Sequence, residues 1–381
     1  MAGEELNQII QGNCLEKLKE LEDSSFDLMV TDPPYGVSFM GKSWDKAVPS
    51  VDIWKECLRV LKPGAFAFIC CIPRQDCLSR MIINLNDAKF RTDFTSIYWT
   101  YATGFPKGMN IGKKEESLKG AYGGFQPKPA VEIIIVVMKP LSKKTYIDQA
   151  LENNKGVTWL DDCRIPYKIR FTGEILPPEN GWNENEVRRT DFNQSQGRFP
   201  ANLLVSDDIL NDGKITKSSG GQSNNQFREI HNIYGNGIEN KQKVNPGLGD
   251  SGSFSRYFDL DAWWDTFPFA VVPKASKSER NKGCEKLEEK NSKLLNNHPT
   301  VKPIKLISYL ITLGSRENDI VLDPFCGSGT TCVAADLLNR KYIGIELEQE
   351  YVTISEARIE GWGKPGIPKK EKEDTEQQYL F

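Results

Sequence analysis

The chain has 381 residues, 39% of them hydrophobic and 10% aromatic, which suits one large domain or two smaller ones with a sizeable core. Its formal charge of -3 excludes a globally basic nucleic-acid coat protein but leaves room for a locally basic cleft. No apolar run approaches the roughly eighteen residues of a membrane span, and the opening Met-Ala-Gly-Glu-Glu-Leu-Asn lacks the basic and apolar stretches of a secretory leader, so a cytoplasmic protein is expected.

Nine cysteines are scattered without C-x-x-C pairs and read as free thiols. Only His231 and His298 are present, a poor stock for a histidine metal site or a Ser-His-Asp triad. In chain order, 7–11 reads as a short strand broken by Gly12, and Leu15, Leu18 and Leu21 lay an apolar stripe along a short helix. A strand follows at 26–31, and strand–helix–strand succession predicts a parallel sheet. That strand runs into Asp32-Pro33-Pro34-Tyr35-Gly36. The prolines fix the backbone and remove two N–H donors, and the residue before a proline is pushed towards an extended conformation. The carbonyls of Asp32 and Pro33 are thereby without helical partners. Asp32 adds a carboxylate acceptor, and Tyr35 adds a flat face with a hydroxyl. This set suits a planar ring carrying an exocyclic amine, whose two hydrogens go to the carboxylate and a carbonyl while the tyrosine stacks. For the tetrapeptide alone, an ordinary strand-to-loop turn is the alternative.

Residues 37–45 read as a loop beside this corner. A helix over 51–60 starts near Ser50 or Asp52, Lys62-Pro63-Gly64 reads as a turn, and 65–71 as a strand buried on both faces. A helix over 75–88 leads to a strand near 93–100, and 130–138 is the strongest strand signal. From 141 to 255 the chain turns polar and glycine-rich around Leu203-Leu204-Val205, which reads as an insertion or a binding surface of loops. Its basic residues Arg164, Lys168, Arg170, Arg188, Arg189 and Arg198 are either partner contacts or solvated surface. Regular pattern returns at 261–264, and the charges of 274–293 suit a solvated helix face. His298-Pro299-Thr300-Val301-Lys302-Pro303 leads into an apolar helix over 304–313. The last unit is strand 319–323, glycine loop 324–329, helix 330–339, strand 341–346 and helix 348–360, followed by a tail read as disordered.

A second chemical constellation lies in Asp323-Pro324-Phe325-Cys326-Gly327-Ser328-Gly329-Thr330, where a strand meets a helix. Its glycines permit close backbone approach to a ligand beyond the carboxyl ends of parallel strands. It is not a phosphate loop, since the Gly-Lys-Ser/Thr ending is absent. About twenty residues on, Glu346 ends the next strand and can accept both hydroxyls of a ribose. The pair implies a nucleoside-containing cofactor, with Lys302 a candidate for its carboxylate end or a plain surface lysine.

These two motifs, in this order, resemble the amino-methyltransferases of DNA. The likeness covers most of 7–360 and includes Arg59-Val60-Leu61-Lys62-Pro63-Gly64, Gly104-Phe105-Pro106-Lys107, Lys128-Pro129-Ala130-x-Glu132, Gly197-Arg198-Phe199-Pro200, Lys274-Ala275-Ser276 and the His298–Pro303 stretch. With the catalytic motif first and the cofactor loop last, the chain is similar to the β class, and to orphan members carried by phages and mobile elements. The resemblance implies a seven-stranded, mostly parallel, Rossmann-like α/β fold for S-adenosylmethionine, circularly permuted. Residues 1–140 would be its catalytic half, 141–260 an inserted target-recognition region, 261–362 its cofactor half and 363–381 a tail.

It also implies the activity: methyl transfer from S-adenosylmethionine to the exocyclic N6 of an adenine flipped out of double-stranded DNA. Asp32, Pro33, Pro34 and Tyr35 would be catalytic, with Phe39 or Trp44 as a further stacking aromatic. Asn13, Cys14, Asp32, Thr300, Lys302, Pro303, Asp323, Pro324, Phe325, Gly327, Ser328, Gly329, Thr330 and Glu346 would hold the cofactor. Family members often have Asp where Asn13 stands, and the amide oxygen of Asn13 still accepts. An Asp before the prolines goes more often with adenine, and a Ser with cytosine N4, which is the alternative. No metal is implied, no membrane is involved, and β-class relatives often form homodimers. An RNA or protein amide substrate, or a non-catalytic DNA-binding module, are the readings from other classes.

Overall fold

The computed structural model describes residues 6–36, 47–101, 108–125, 127, 130–166, 197–206, 210–211, 213–217, 251–265, 277–285, 287 and 295–362. The expectations for Phe39 and Trp44, for 104–107, for Lys128, Lys168, Arg170, Arg188, Arg189 and Lys274, and for the tail lie outside the described residues. Among the described residues, eight strands form one sheet: β1 (Gln8–Gln11), β2 (Phe26–Thr31), β3 (Leu61–Cys71), β4 (Ile97–Thr100), β5 (Val131–Met138), β6 (Leu203–Val205), β7 (Ile320–Asp323) and β8 (Lys341–Glu346). Their spatial order is β1-β8-β7-β2-β3-β5-β4-β6. All pairings are parallel except those of β5, which runs antiparallel to β3 and to β4.

Alternation along the central strands divides the core in two. Phe66, Phe68 and Cys70 of β3 face one layer, and Ala65, Ala67, Ile69 and Cys71 face the other. The second layer takes α1 (Cys14–Glu20), α2 (Val51–Val60) and α3 (Gln75–Asp87) through Leu18, Trp54, Cys57, Met81 and Leu85. A short helix α4 (Tyr146–Asn153) precedes α5 (Leu260–Trp264) and α6 (Lys277–Asn281). The first layer is built on α7 (Ile304–Gly314), α8 (Thr330–Leu337) and α9 (Gln349–Trp362). Every residue of α7 is buried, its apolar majority and also Lys305, Ser308 and Thr312.

The connections place the site. From β2 the chain crosses by α2 to β3 on one side, and from β7 it crosses by α8 to β8 on the other. β2 and β7 are neighbours, so their outgoing loops part and leave a crevice at their carboxyl ends. At the opposite end of the same seam, Asp27 is buried and accepts from Lys62 at 2.7 Å, from Lys155 at 3.0 Å and from the Ile320 N–H at 2.9 Å, which fixes β2 against β7.

Three details differ from the sequence reading. Lys62-Pro63-Gly64 is not a turn but a bulge inside β3: Phe26 pairs with Leu61 and Leu28 with Phe66. Gly64 takes φ +79° there and donates to the Lys139 carbonyl at 3.1 Å. The sheet has eight strands where seven were expected, because Leu203–Val205 of the insertion pairs with β4 and buries Leu204 and Val205. Helix α4 also lies in the stretch read as loops; Thr145 Oγ1 caps it, accepting from the Asp148 N–H at 3.1 Å.

Candidate active site

The crevice is walled by the two motifs. β2 ends at Thr31, whose hydroxyl donates to Asp323 Oδ1 at 2.7 Å. Thr331, in the first turn of α8, donates its hydroxyl to the Val30 carbonyl at 3.3 Å. The two loops are thus stitched together just below the open cleft. Asp32, Pro33, Pro34 and Tyr35 line one side. Pro324, Phe325, Gly327, Ser328 and Thr330 line the other, with Asp323 at the floor. Asn13 and Cys14 enter from the β1–α1 turn, Thr300 and Lys302 from the strap before α7, and Glu346 from the end of β8. Pro303 and Gly329 are off the lining. Pro303 starts α7, its carbonyl accepting from Leu306 at 3.2 Å and Ile307 at 3.3 Å, and Gly329 is the N-cap of α8 at φ +78°.

A charged cluster surrounds Asp32. Tyr35 donates its hydroxyl to Asp32 Oδ1, and the Lys302 ammonium donates to Asp32 Oδ2 at 2.7 Å. The same ammonium lies 3.2 Å from Glu132 Oε2 and 3.3 Å from the Tyr35 hydroxyl. Lys302 is 7% exposed. Burial alone would lower its pKa, but Asp32 and Glu132 outweigh that and hold it above the ordinary lysine value. Burial, then the Asp32 charge, push the Tyr35 phenol well up. Burial raises the Glu132 carboxyl despite the nearby ammonium. The sequence reading left Lys302 as a candidate for the carboxylate end of a cofactor or a surface lysine; it is buried rather than on the surface, lines the cleft, and its ammonium bridges Asp32 and Glu132.

The glycine loop is held from behind. Gly327 sits at φ +56°, and a Cβ there would stand 2.9 Å from His298 Nε2. Arg358 of α9, fully buried, donates to the Ser328 carbonyl, and to Ser328 Oγ and Thr330 Oγ1, each at 3.1 Å. Ser355 donates to the Gly327 carbonyl at 2.9 Å. Glu346 accepts from Gly327 N at 2.7 Å and from Glu348 N at 2.9 Å. Burial raises its carboxyl to about 7 against those two donors. Burial likewise raises Asp323 to about 6, opposed by its hydroxyl donors, and lowers His298 to about 4, which leaves that imidazole neutral at pH 7. Asn13 reaches the cleft, but its Oδ1 already accepts from Leu15 N at 2.9 Å as the cap of α1, so one lone pair remains for a ligand.

The family model described as DNA methylase matches residues 26–357. The chain belongs to the DNA methylase family. This DNA methylase is similar to the type II methyltransferase M2.MboI of Moraxella bovis, 30% identical over 217 residues, covering 52% of this chain and 76% of the relative. It is also similar to the type II methyltransferase M2.LlaDCHI of Lactococcus lactis subsp. cremoris, 47% identical over 73 residues. That match spans only 19% of this chain and 27% of the relative's length. Among solved structures, the PvuII DNA methyltransferase (cytosine-N4-specific) aligns at a TM-score of 0.47 with 15% identity, over 93% of this chain and 89% of that one.

S-adenosylmethionine is the methyl donor of this family, and the cleft of the DNA methylase suits it independently. Gly327, at φ +56° with His298 filling the space of a Cβ, brings loop backbone to the cleft wall, and an acceptor carboxylate, Glu346, ends the neighbouring strand. Sequence reasoning missed the roles of Glu132 and of Tyr351. Tyr351 lines the cleft and packs edge-on against His298, with ring centroids 4.5 Å apart. Two candidate basic contacts of the insertion are spent within the fold. Arg198 is buried and donates to the Pro166 carbonyl at 3.3 Å and the Arg256 carbonyl at 3.0 Å, and Arg164 pairs with Asp161 at 2.7 Å.

Proposed function

We propose that this DNA methylase transfers the methyl group of S-adenosylmethionine to the N6 amine of an adenine turned out of double-stranded DNA. The observation that carries this reading is the adjacency, across the β2–β7 seam, of the amine-accepting corner at Asp32 and Pro33 and the glycine loop with Glu346. When bound, the cofactor supplies an electrophilic methyl group. Glu346 would accept its ribose hydroxyls, and Asn13, Cys14, Thr300 and the backbone at Gly327 and Ser328, which line the cleft, would hold the rest of it. Pro33 and Pro34 hold the corner rigid, and Tyr35 stacks on the target ring.

The adenine amine is a weak nucleophile because its lone pair is delocalised into the ring. Hydrogen bonds from it to Asp32 and to the Pro33 carbonyl draw the nitrogen towards tetrahedral geometry and stabilise the charge that grows on it. Asp32 need not be a strong base, since the proton becomes acidic once the nitrogen is methylated. The rest is holding two reactants in line. Adenine is preferred over cytosine because Asp, not Ser, precedes the prolines. The insertion that carries β6 is assigned to target recognition, and a homodimer is proposed on the family resemblance alone.

The test is methyl transfer from labelled S-adenosylmethionine to unmethylated DNA, followed by digestion to nucleosides. Label in N6-methyladenine is expected. Label in N4-methylcytosine would keep the chemistry and overturn the base assignment. Label in neither, with the cofactor bound, would overturn the activity.

A further inference from the structure

Both oxygens of Asp32 are occupied. Oδ1 accepts from Tyr35 and Oδ2 from Lys302. Each oxygen keeps a second lone pair, but with the ammonium on Oδ2 the carboxylate meets a target amine with its charge largely neutralised. Lys302 cannot leave for water, because it is 7% exposed and its ammonium would remain buried without a counter-charge. An acceptor nevertheless stands ready. Glu132 Oε2 is closed off from solvent and already forms an ion pair with the ammonium at 3.2 Å. Glu132 is fixed on β5, in register opposite Trp99 of β4.

We infer that Glu132 is a positioning residue, a second station to which Lys302 moves when the target amine takes Asp32 Oδ2. This rests on the activity proposed above. The ammonium, already between the two carboxylates, shifts by a small side-chain rotation, and no proton changes owner. The handover does two things. It leaves Asp32 Oδ2 with both lone pairs for the incoming amine. It also separates Asp32 from the cation that would neutralise it, so that its charge faces the nitrogen as positive charge develops there. Two carboxylates around one ammonium are what such an exchange needs, since one always remains paired while the other works.

The test compares Glu132→Gln, Lys302→Met and the double variant, measuring turnover on unmethylated DNA and cofactor affinity by calorimetry. Glu132→Gln strands Lys302 on Asp32, so kcat falls at least tenfold while the S-adenosylmethionine Kd stays within about threefold. Lys302→Met lowers turnover of the otherwise wild-type protein, because two facing carboxylates then share a proton. In the Glu132→Gln background the same change raises kcat at least threefold, because it unlocks Asp32. This reversal of sign is what a merely structural role for Glu132 does not give. Unchanged kcat in Glu132→Gln, or a double variant no faster than Glu132→Gln, overturns the inference. Should Glu132→Gln fail to fold, Glu132→Asp shortens the reach by one methylene, keeps the charge, and is read by the same comparison. Wild-type protein that binds cofactor but labels no DNA would strike the proposed activity instead of the handover.

Discussion

Gly327 holds a left-handed backbone with no room for a side chain, since a Cβ would stand 2.9 Å from a histidine nitrogen that is itself packed on Tyr351. Gly327→Ala is therefore expected to weaken S-adenosylmethionine binding at least tenfold by calorimetry, with a smaller loss of thermal stability. Glu346 gives a pH prediction. Its folded pKa, raised by burial to about 7, lies above that of the unfolded chain, so the folded state holds the proton longer. The contribution of this group to stability is present at low pH and declines as pH rises from about 4.5 to about 7. Ribose hydroxyls donate to the ionised form, so cofactor affinity runs the other way. The Kd is expected to fall about tenfold between roughly pH 6 and pH 8, and Glu346→Gln to flatten that dependence. Asp32, Tyr35, Gly327 and Glu346 were legible in the sequence because each belongs to a local motif with its own chemistry. The Lys302–Glu132 contact was not. It joins residues far apart in the chain, and it exists only because α7 packs beneath β2 and β3 while β5 pairs with β3.

At the scale of elements, α7 is the platform under the catalytic strand. Gly314, in its last turn, faces β2 so closely that a Cβ would meet Leu28 Cδ1 at 2.6 Å and Phe68 at 2.8 Å. Gly314→Ala should overpack this contact and cost about 1–3 kcal/mol, read as a melting temperature lower by several degrees. The helix start is held by Glu279 of α6, which is 2% exposed and accepts from the Ile304 N–H at 2.8 Å. Removing that acceptor with Glu279→Ala leaves a buried donor unpaired, a loss of about 1–3 kcal/mol measurable by chemical denaturation. The long elements were legible because composition and burial agree along them: α7 is mostly apolar, and β5 is mostly branched residues. Short elements were not. The bulge at Gly64 contains a Pro-Gly pair that reads as a turn, and only the pairing of Leu61 with Phe26 reveals a strand on both sides of it. Helix α4 carried a usable signal, a threonine cap before it and Asn154 at φ +58° after it, inside a segment whose composition argued for loops.

At the scale of the molecule, the permuted chain order brings its two motifs together. Asp32 lies near one end of the sequence and Gly327 near the other, yet β2 and β7 are adjacent, and the crevice opens where their connections diverge. The parallel sheet followed from strand–helix alternation in the sequence. Its eighth strand did not, because three residues of an insertion carry too little period to be assigned. The most direct test of the account is Asp32→Ala, assayed for methyl transfer to unmethylated DNA and for S-adenosylmethionine binding side by side. Turnover is expected to fall at least about a hundredfold, with the cofactor Kd within about threefold of wild type. Turnover close to that of the wild-type protein would contradict the assignment of the target amine to this carboxylate.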